Sequence, residues 1–169
     1  MRWTDGGFEM DDDRSRLGME RIVGWLKASY WAGSQPEPAI CRSWDAAGVV
    51  LGIYHGDELV DCARAVTDFT RFAYLSDVYV EPGYRGRGFG RWLVGTTFGH
   101  PEIGPVRWGL HTRSYTTKFY RKFGFEVIGE ESERSGMRRP KPQLRRGCHH
   151  RSTTGARLSP CSNGAMSRL

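Results

Sequence analysis

The sequence predicts a mixed α/β fold, a central sheet flanked by helices, and three observations carry that expectation. Apolar residues recur first at helical and then at strand spacing. A Pro-Gly break separates a strand from a glycine-rich turn that opens a helix. The region after that helix then alternates strand, helix and strand. The 169 residues suffice for one domain with a full core, expected over 1–139, with a basic tail over 140–169.

Taken in order, a short strand is expected near Phe8. Asp11, Asp12, Asp13 and Ser15 then offer helix N-caps, and Leu17, Ile22, Val23, Leu26 and Tyr30 repeat along one helical face. Ser34-Gln35-Pro36-Glu37 starts a second helix running to about Ala47, with Pro near its first turn. Val49 to Tyr54 is apolar and β-branched, His55-Gly56-Asp57-Glu58 is a turn, and Leu59 to Val66 returns as the second arm of a hairpin. Phe72 to Val80 is a third strand, stopped by Glu81-Pro82-Gly83. Trp92, Leu93 and Phe98 follow in helical register, which ends by Pro101. Val106 to Thr112 reads as a strand, Tyr115 to Phe123 as a helix ended by Gly124, and Phe125 to about Gly129 as the last strand. Asp61, inside the second arm of the hairpin, suggests a bulge or an exposed edge there. Beyond Arg139 the sequence loses periodicity and has the composition of a disordered tail.

The formal charge of +6 belongs to that tail. Residues 138–169 hold eight of the 25 basic residues and no Asp or Glu, which leaves 17 basic against 19 acidic residues in the rest. A nucleic-acid function would therefore rest on the tail alone and is disfavoured. Cys41 and Cys62 sit in apolar surroundings and read as core residues; Cys148, His149, His150 and Cys161 read as a chance cluster, so no metal is expected. No apolar run approaches the ~18 residues of a membrane span. The first residues lack a signal peptide's apolar stretch, and the expected location is cytoplasmic.

The chemistry concentrates at Arg85-Gly86-Arg87-Gly88-Phe89-Gly90-Arg91. Three glycines in five positions let the backbone turn tightly and let a ligand approach it closely. The free N–H groups and dipole of the following helix, with three arginines, suit a pyrophosphate. A Walker A reading fails because no Gly-Lys-Ser/Thr follows, and the dinucleotide pattern fails because its third glycine would fall on Arg91.

Arg85-x-x-Gly88-x-Gly90, between a strand and a helix, resembles the acyl-CoA loop of the GNAT superfamily, Gln/Arg-x-x-Gly-x-Gly/Ala. The likeness spans about residues 8–139. It is closest to small members carrying Ser-Tyr-Trp-Ala (Ser29 to Ala32), Ala-Arg-x-Val-Thr-Asp (Ala63 to Asp68) and Tyr-Leu-x-Asp-Val (Tyr74 to Val78), and Phe119-Tyr120-x-x-Phe123-Gly124-Phe125 resembles the end of that core. The resemblance implies an acetyl-CoA-dependent N-acetyltransferase that moves an acetyl group to a primary amine by direct attack. Its acceptor would be a small molecule or a protein amine, and a homodimer is possible. It implies that the CoA arm pairs with a strand at Val78, Tyr79 and Val80, that Arg85 to Arg91 form the cofactor loop with the pyrophosphate on the N–H groups of Arg87 to Arg91, and that Tyr120 protonates the leaving thiolate. Asp77 is a candidate base beside Glu81 and Asp68, and Tyr30, Trp31 and Asp68 are candidate walls of the acceptor site. Two other functions fit the sequence: an inactive acyl-CoA-binding sensor, and a protein that meets nucleic acid through its tail. One departure stands out. Where the resembled members carry Thr-x-Asp-Ala-His-x-Leu-Tyr, this chain runs from Thr112 to Tyr120 with one more residue and neither that Asp nor that His.

Overall fold

The computed structural model describes residues 1–131 and 134–140; the expected tail, with Cys148, His149, His150 and Cys161, lies outside them. Among the described residues, eight strands form one sheet in the order β1-β2-β3-β4-β5-β6-β8-β7. The strands are β1 (Arg2–Asp5), β2 (Phe8–Asp11), β3 (Val49–His55), β4 (Glu58–Thr67), β5 (Phe72–Val80), β6 (Arg107–Arg113), β7 (Glu126–Glu131) and β8 (Arg134–Arg139). Neighbours run antiparallel except β5 and β6, which are parallel.

The helices divide between two faces. α1 (Met19–Lys27) and α2 (Glu37–Asp45) bury Ile22, Trp25, Leu26, Ile40 and Trp44 against Val50, Tyr54 and Cys62. α3 (Phe89–Phe98) and the short α4 (Thr117–Arg121) close the other face, where Phe89, Leu93, Val94 and Tyr120 share a core with Leu51, Ile53, Ala63, Leu75 and Leu110. Adjacent strand residues such as Val50 and Leu51 serve opposite cores because side chains alternate along a strand. Near-continuous apolar runs in β3 and β4 follow from that two-sided burial.

Several details differ from the expectation. The acidic run does not cap α1: the Asp13 carboxylate accepts from Ser15 N at 2.9 Å and caps a single 3-10 turn, Arg14–Arg16. α1 starts after Gly18 and ends at Lys27, so Tyr30 lies beyond it. β1 and β8 were not expected. β8 enters between β6 and β7 with Met137 and Ser135 buried, and its polar sequence, Arg-Ser-Gly-Met-Arg-Arg, hides the one core residue it supplies. Asp61 is not at an edge. It is fully buried in central β4, and the register shift is next to it, between Cys62 and Arg64.

Candidate active site

β5 and β6 pair only through Phe72↔Arg107, Ala73↔Trp108 and Tyr74↔Gly109. Beyond Tyr74 they part, and the β6-facing side of β5 has no strand partner among the described residues. A bulge bends β5 at this point: Asp77 takes a left-handed φ of 50°, and the β4–β5 register shifts opposite it. A cleft of about 910 Å³ opens in the fork, the size of a small-ligand site. Ser76 and Val78 line it from β5, Leu110 and Thr112 from β6, and Leu26 and Ile40 from the helices above.

The glycine-rich loop follows directly on β5. Gly86 and Gly88 adopt φ of 78° and 96°, a conformation that L side chains disfavour, and Gly88 is the N-cap of α3. A Cβ on either would meet nothing within 4 Å, so the surface above them is open. Gly88 O accepts from Arg91 N at 2.9 Å and Trp92 N at 3.0 Å. The N–H groups of Gly86, Arg87, Gly88, Phe89 and Gly90 meet no protein acceptor among the described residues. These donors sit at the positive end of α3 and fit a pyrophosphate. The Arg91 amide, expected among them, is instead bonded inside the first helical turn. Arg85 Nε donates to Val80 O at 3.0 Å, and the Arg87 guanidinium lies over the Phe8, Phe89 and Tyr84 rings at 5.1, 5.3 and 5.6 Å. Val78 lines the cleft, whereas the Tyr79 ring turns away to stack on Trp25 at 4.7 Å. Val80 packs beside Gly90, its Cγ2 3.5 Å from where a Cβ there would lie.

Tyr120 lines the cleft from α4 and is 9% exposed. Burial, the largest influence on it, pushes its phenol well above the ordinary range, so it stays protonated. Tyr30 and Trp31 lie on the cleft wall after α1, with their rings edge to face at 5.0 Å. Trp31 Nε1 donates to Asp77 Oδ1 at 3.0 Å, and Arg64 Nε lies 2.5 Å from Asp77 Oδ2. Asp77 lines the cleft, but both its oxygens are engaged by donors.

Asp68 and Glu81 stand elsewhere. Asp68 accepts from the amides of Thr70, Arg71 and Phe72 at 3.1, 2.8 and 3.0 Å, shaping the β4–β5 turn at the closed end of the fork. Those amide bonds, Arg71's foremost, hold its carboxyl down at about 2. Its expected place on the acceptor wall is thereby corrected: in this fold it is a turn cap. Glu81 accepts from Arg21 at 2.8 Å and ties α1 to the end of β5.

One cleft pair was missed in the sequence. Tyr74 Oη and His111 Nδ1 lie 2.9 Å apart, one from each arm of the fork. Period-two alternation is the signal that could have found them. Leu75 and Leu110 face the α3–α4 core, so Tyr74 and His111 face the opposite side. Among the described residues no group of three or more His, Cys, Asp or Glu is arranged to hold a metal, and no helix is long and apolar enough to cross a membrane.

Residues 46–127 match the family profile described as an acetyltransferase (GNAT) domain. A Xanthomonas campestris protein of the GNAT family shares the fold at a TM-score of 0.68 and 26% identity, covering 77% of this chain and 96% of its own. A Gibberella zeae protein classed provisionally as an acetyltransferase is 30% identical over 54% of this chain and 63% of its own length. A histone acetyltransferase of Glycine max is 37% identical over 45% of this chain and 36% of its own. The chain thus spans less than two thirds of the curated relatives it matches.

Proposed function

The chain is a member of the GNAT acetyltransferase family, and on that premise we propose that it transfers an acetyl group from acetyl-CoA to the nitrogen of a small primary amine. The observation that supports this best is the fork between β5 and β6, which leads to the unpaired amides of Gly86 to Gly90. Acetyl-CoA supplies the thioester whose acyl group is transferred. The loop amides would hold its pyrophosphate, and the free side of β5 at Val78 to Val80 would pair with its arm as an added strand. A strand N–H near Val78 would steady negative charge on the acetyl oxygen. Tyr120, kept protonated by burial, would donate its proton to the departing sulfur.

The cleft also favours one kind of acceptor. Its only carboxylate among the described residues, Asp77, is already balanced by Arg64. A polyamine or aminoglycoside would bring several positive charges, with no free carboxylate among the described residues of the cleft to meet them. The walls instead mix neutral polar groups with apolar and aromatic ones, among them Leu26, Ile40 and Leu110, with Tyr30, Trp31 and Tyr115 exposed at the mouth. We therefore assign the acceptor as a singly charged amine on an apolar or aromatic body. Asp77 holds Trp31 in that wall.

The test is calorimetric titration of acetyl-CoA into the protein beside Gly88→Trp, followed by CoA release with a panel of 2-phenylethylamine, isoamylamine, lysine and spermidine. Micromolar binding, lost in the variant, and faster release with the first two amines are expected. No binding to the parent would sink the acetyltransfer reading. Binding without CoA release from any amine would point to an acyl-CoA sensor.

A further inference from the structure

Resting on the acetyltransfer reading above, we infer that His111, positioned by Tyr74, is the base that takes the proton from the acceptor amine. Among the described residues lining the cleft, Asp77 and His111 are the only side chains suited to accept a proton near neutral pH. Asp77 is held by Arg64 Nε at 2.5 Å and Trp31 Nε1 at 3.0 Å, so taking a proton would break an ion pair. His111 is exposed to the cleft, and among the described residues its single side-chain hydrogen-bond partner is the Tyr74 hydroxyl, 2.9 Å from Nδ1. When Nδ1 keeps its hydrogen and donates to that oxygen, the Nε2 lone pair is left for a substrate. Gly136 of β8, also on the cleft wall, lies beside the ring: a Cβ there would stand in ordinary contact with Nε2, at 3.5 Å. Placement agrees with the chemistry. Tyr120 belongs to the core beneath the sheet, whereas Tyr74 and His111 face the α1–α2 side, so acid and base reach the fork from opposite faces.

An aliphatic amine reaches the site as an ammonium ion and must shed a proton before its nitrogen can attack. The C–N bond then forms and the C–S bond breaks. Of the two protons the nitrogen loses, His111 passes one to water from its exposed side. The other balances the proton that Tyr120 gives to sulfur, restoring the phenol. Among the described residues, the titratable and charged side chains that share the cleft with His111 are Tyr74 and Asp77 from β5, Arg64 from β4 and Tyr30 from the segment after α1. Tyr120 and Tyr115 also line the cleft, Tyr120 from the opposite face, while β7 and β8 contribute uncharged Ile128, Gly129 and Gly136 among the described residues. Burial raises the Tyr74 phenol, so it stays a neutral partner to the ring.

The experiment is the pH dependence of kcat/KM for the fastest amine of the panel, in the full chain, His111→Ala, His111→Gln and Tyr74→Phe. Acetyl-CoA affinity and melting temperature serve as controls for folding. In both His111 variants we expect about a 10²-fold loss at pH 7 with acetyl-CoA binding intact. The acid limb should move to higher pH in both variants, and added imidazole should restore activity to His111→Ala. Tyr74→Phe should keep the limb and lose only several-fold. His111 variants within twofold of the parent and with an unchanged limb would overturn the assignment while leaving the acetyltransfer reading intact. A parent that binds acetyl-CoA but acetylates no amine would overturn both.

Discussion

Tyr120 and Asp61 are both withdrawn from water, and burial raises both carboxyl and phenol, with different consequences. For Tyr120 the result is a donor that stays protonated beside the fork. Tyr120→Phe keeps the ring in the core and removes only the proton, so acetyl-CoA should bind as before while kcat falls about 10²-fold, measured by CoA release. Asp61 has no exposed surface, its Oδ1 accepts from Glu81 N at 3.2 Å, and its Oδ2 has no partner. Burial pushes its carboxyl from 3.8 up to about 7. The folded protein then holds this proton over a range where the unfolded chain has released it, so stability is lost as pH rises from about 4 to about 7. The linked change is on the order of 4 kcal/mol. Asp61→Asn should lose markedly less stability than the parent between pH 5 and pH 8 in urea denaturation; equal losses would show that Asp61 is not the titrating group.

At the level of elements, the bulge in β5 and the late arrival of β8 together shape the site. The bulge turns Asp77 toward Arg64 and Trp31 and frees one side of the strand beyond Tyr74. β8 pairs with β6 from Trp108↔Arg139 to Arg113↔Arg134 and backs the fork with Gly136. Its hold on the core is Met137, 1% exposed. Met137→Ala should cost about 3 kcal/mol by urea denaturation. A loss under 1 kcal/mol would mean that β8 is peripheral to stability.

At the scale of the whole molecule, the two helical layers enclose the cleft from both faces: α3 follows the loop and α4 carries Tyr120, while α1 and α2 roof the cleft on the other side. Arg21 ties α1 to the sheet, bonding Glu58 at 2.7 Å and Glu81 at 2.8 Å at the end of the strand that leads to the loop. The loop, the fork and the helices that enclose it all lie within the described residues 1–131 and 134–140. A chain ending at Pro140 should therefore bind acetyl-CoA within twofold of the full chain by calorimetry. A tenfold weaker Kd would give the basic tail a part in cofactor binding.

The sequence by itself determined the element order from β3 to β7, the loop and the likeness to the GNAT family. Each of these is written in local spacing: helical and strand periodicity, glycines where φ must be positive, and a Pro-Gly stop. It also singled out Tyr120, Tyr30 and Trp31, all of which line the cleft. What only the tertiary structure decided is which polar groups are engaged and which are offered. Asp77, Asp68 and Asp61 look alike as carboxylates in strands and turns. One is bound by an arginine and an indole, one by three amides, and one is buried beside a backbone N–H. β8 escaped notice because one methionine among arginines carries little periodic signal, and its place is set by pairing with a distant strand. The Tyr74–His111 contact joins residues 37 positions apart. Nothing in local spacing announces such a bond, because it exists only where two parallel strands begin to separate.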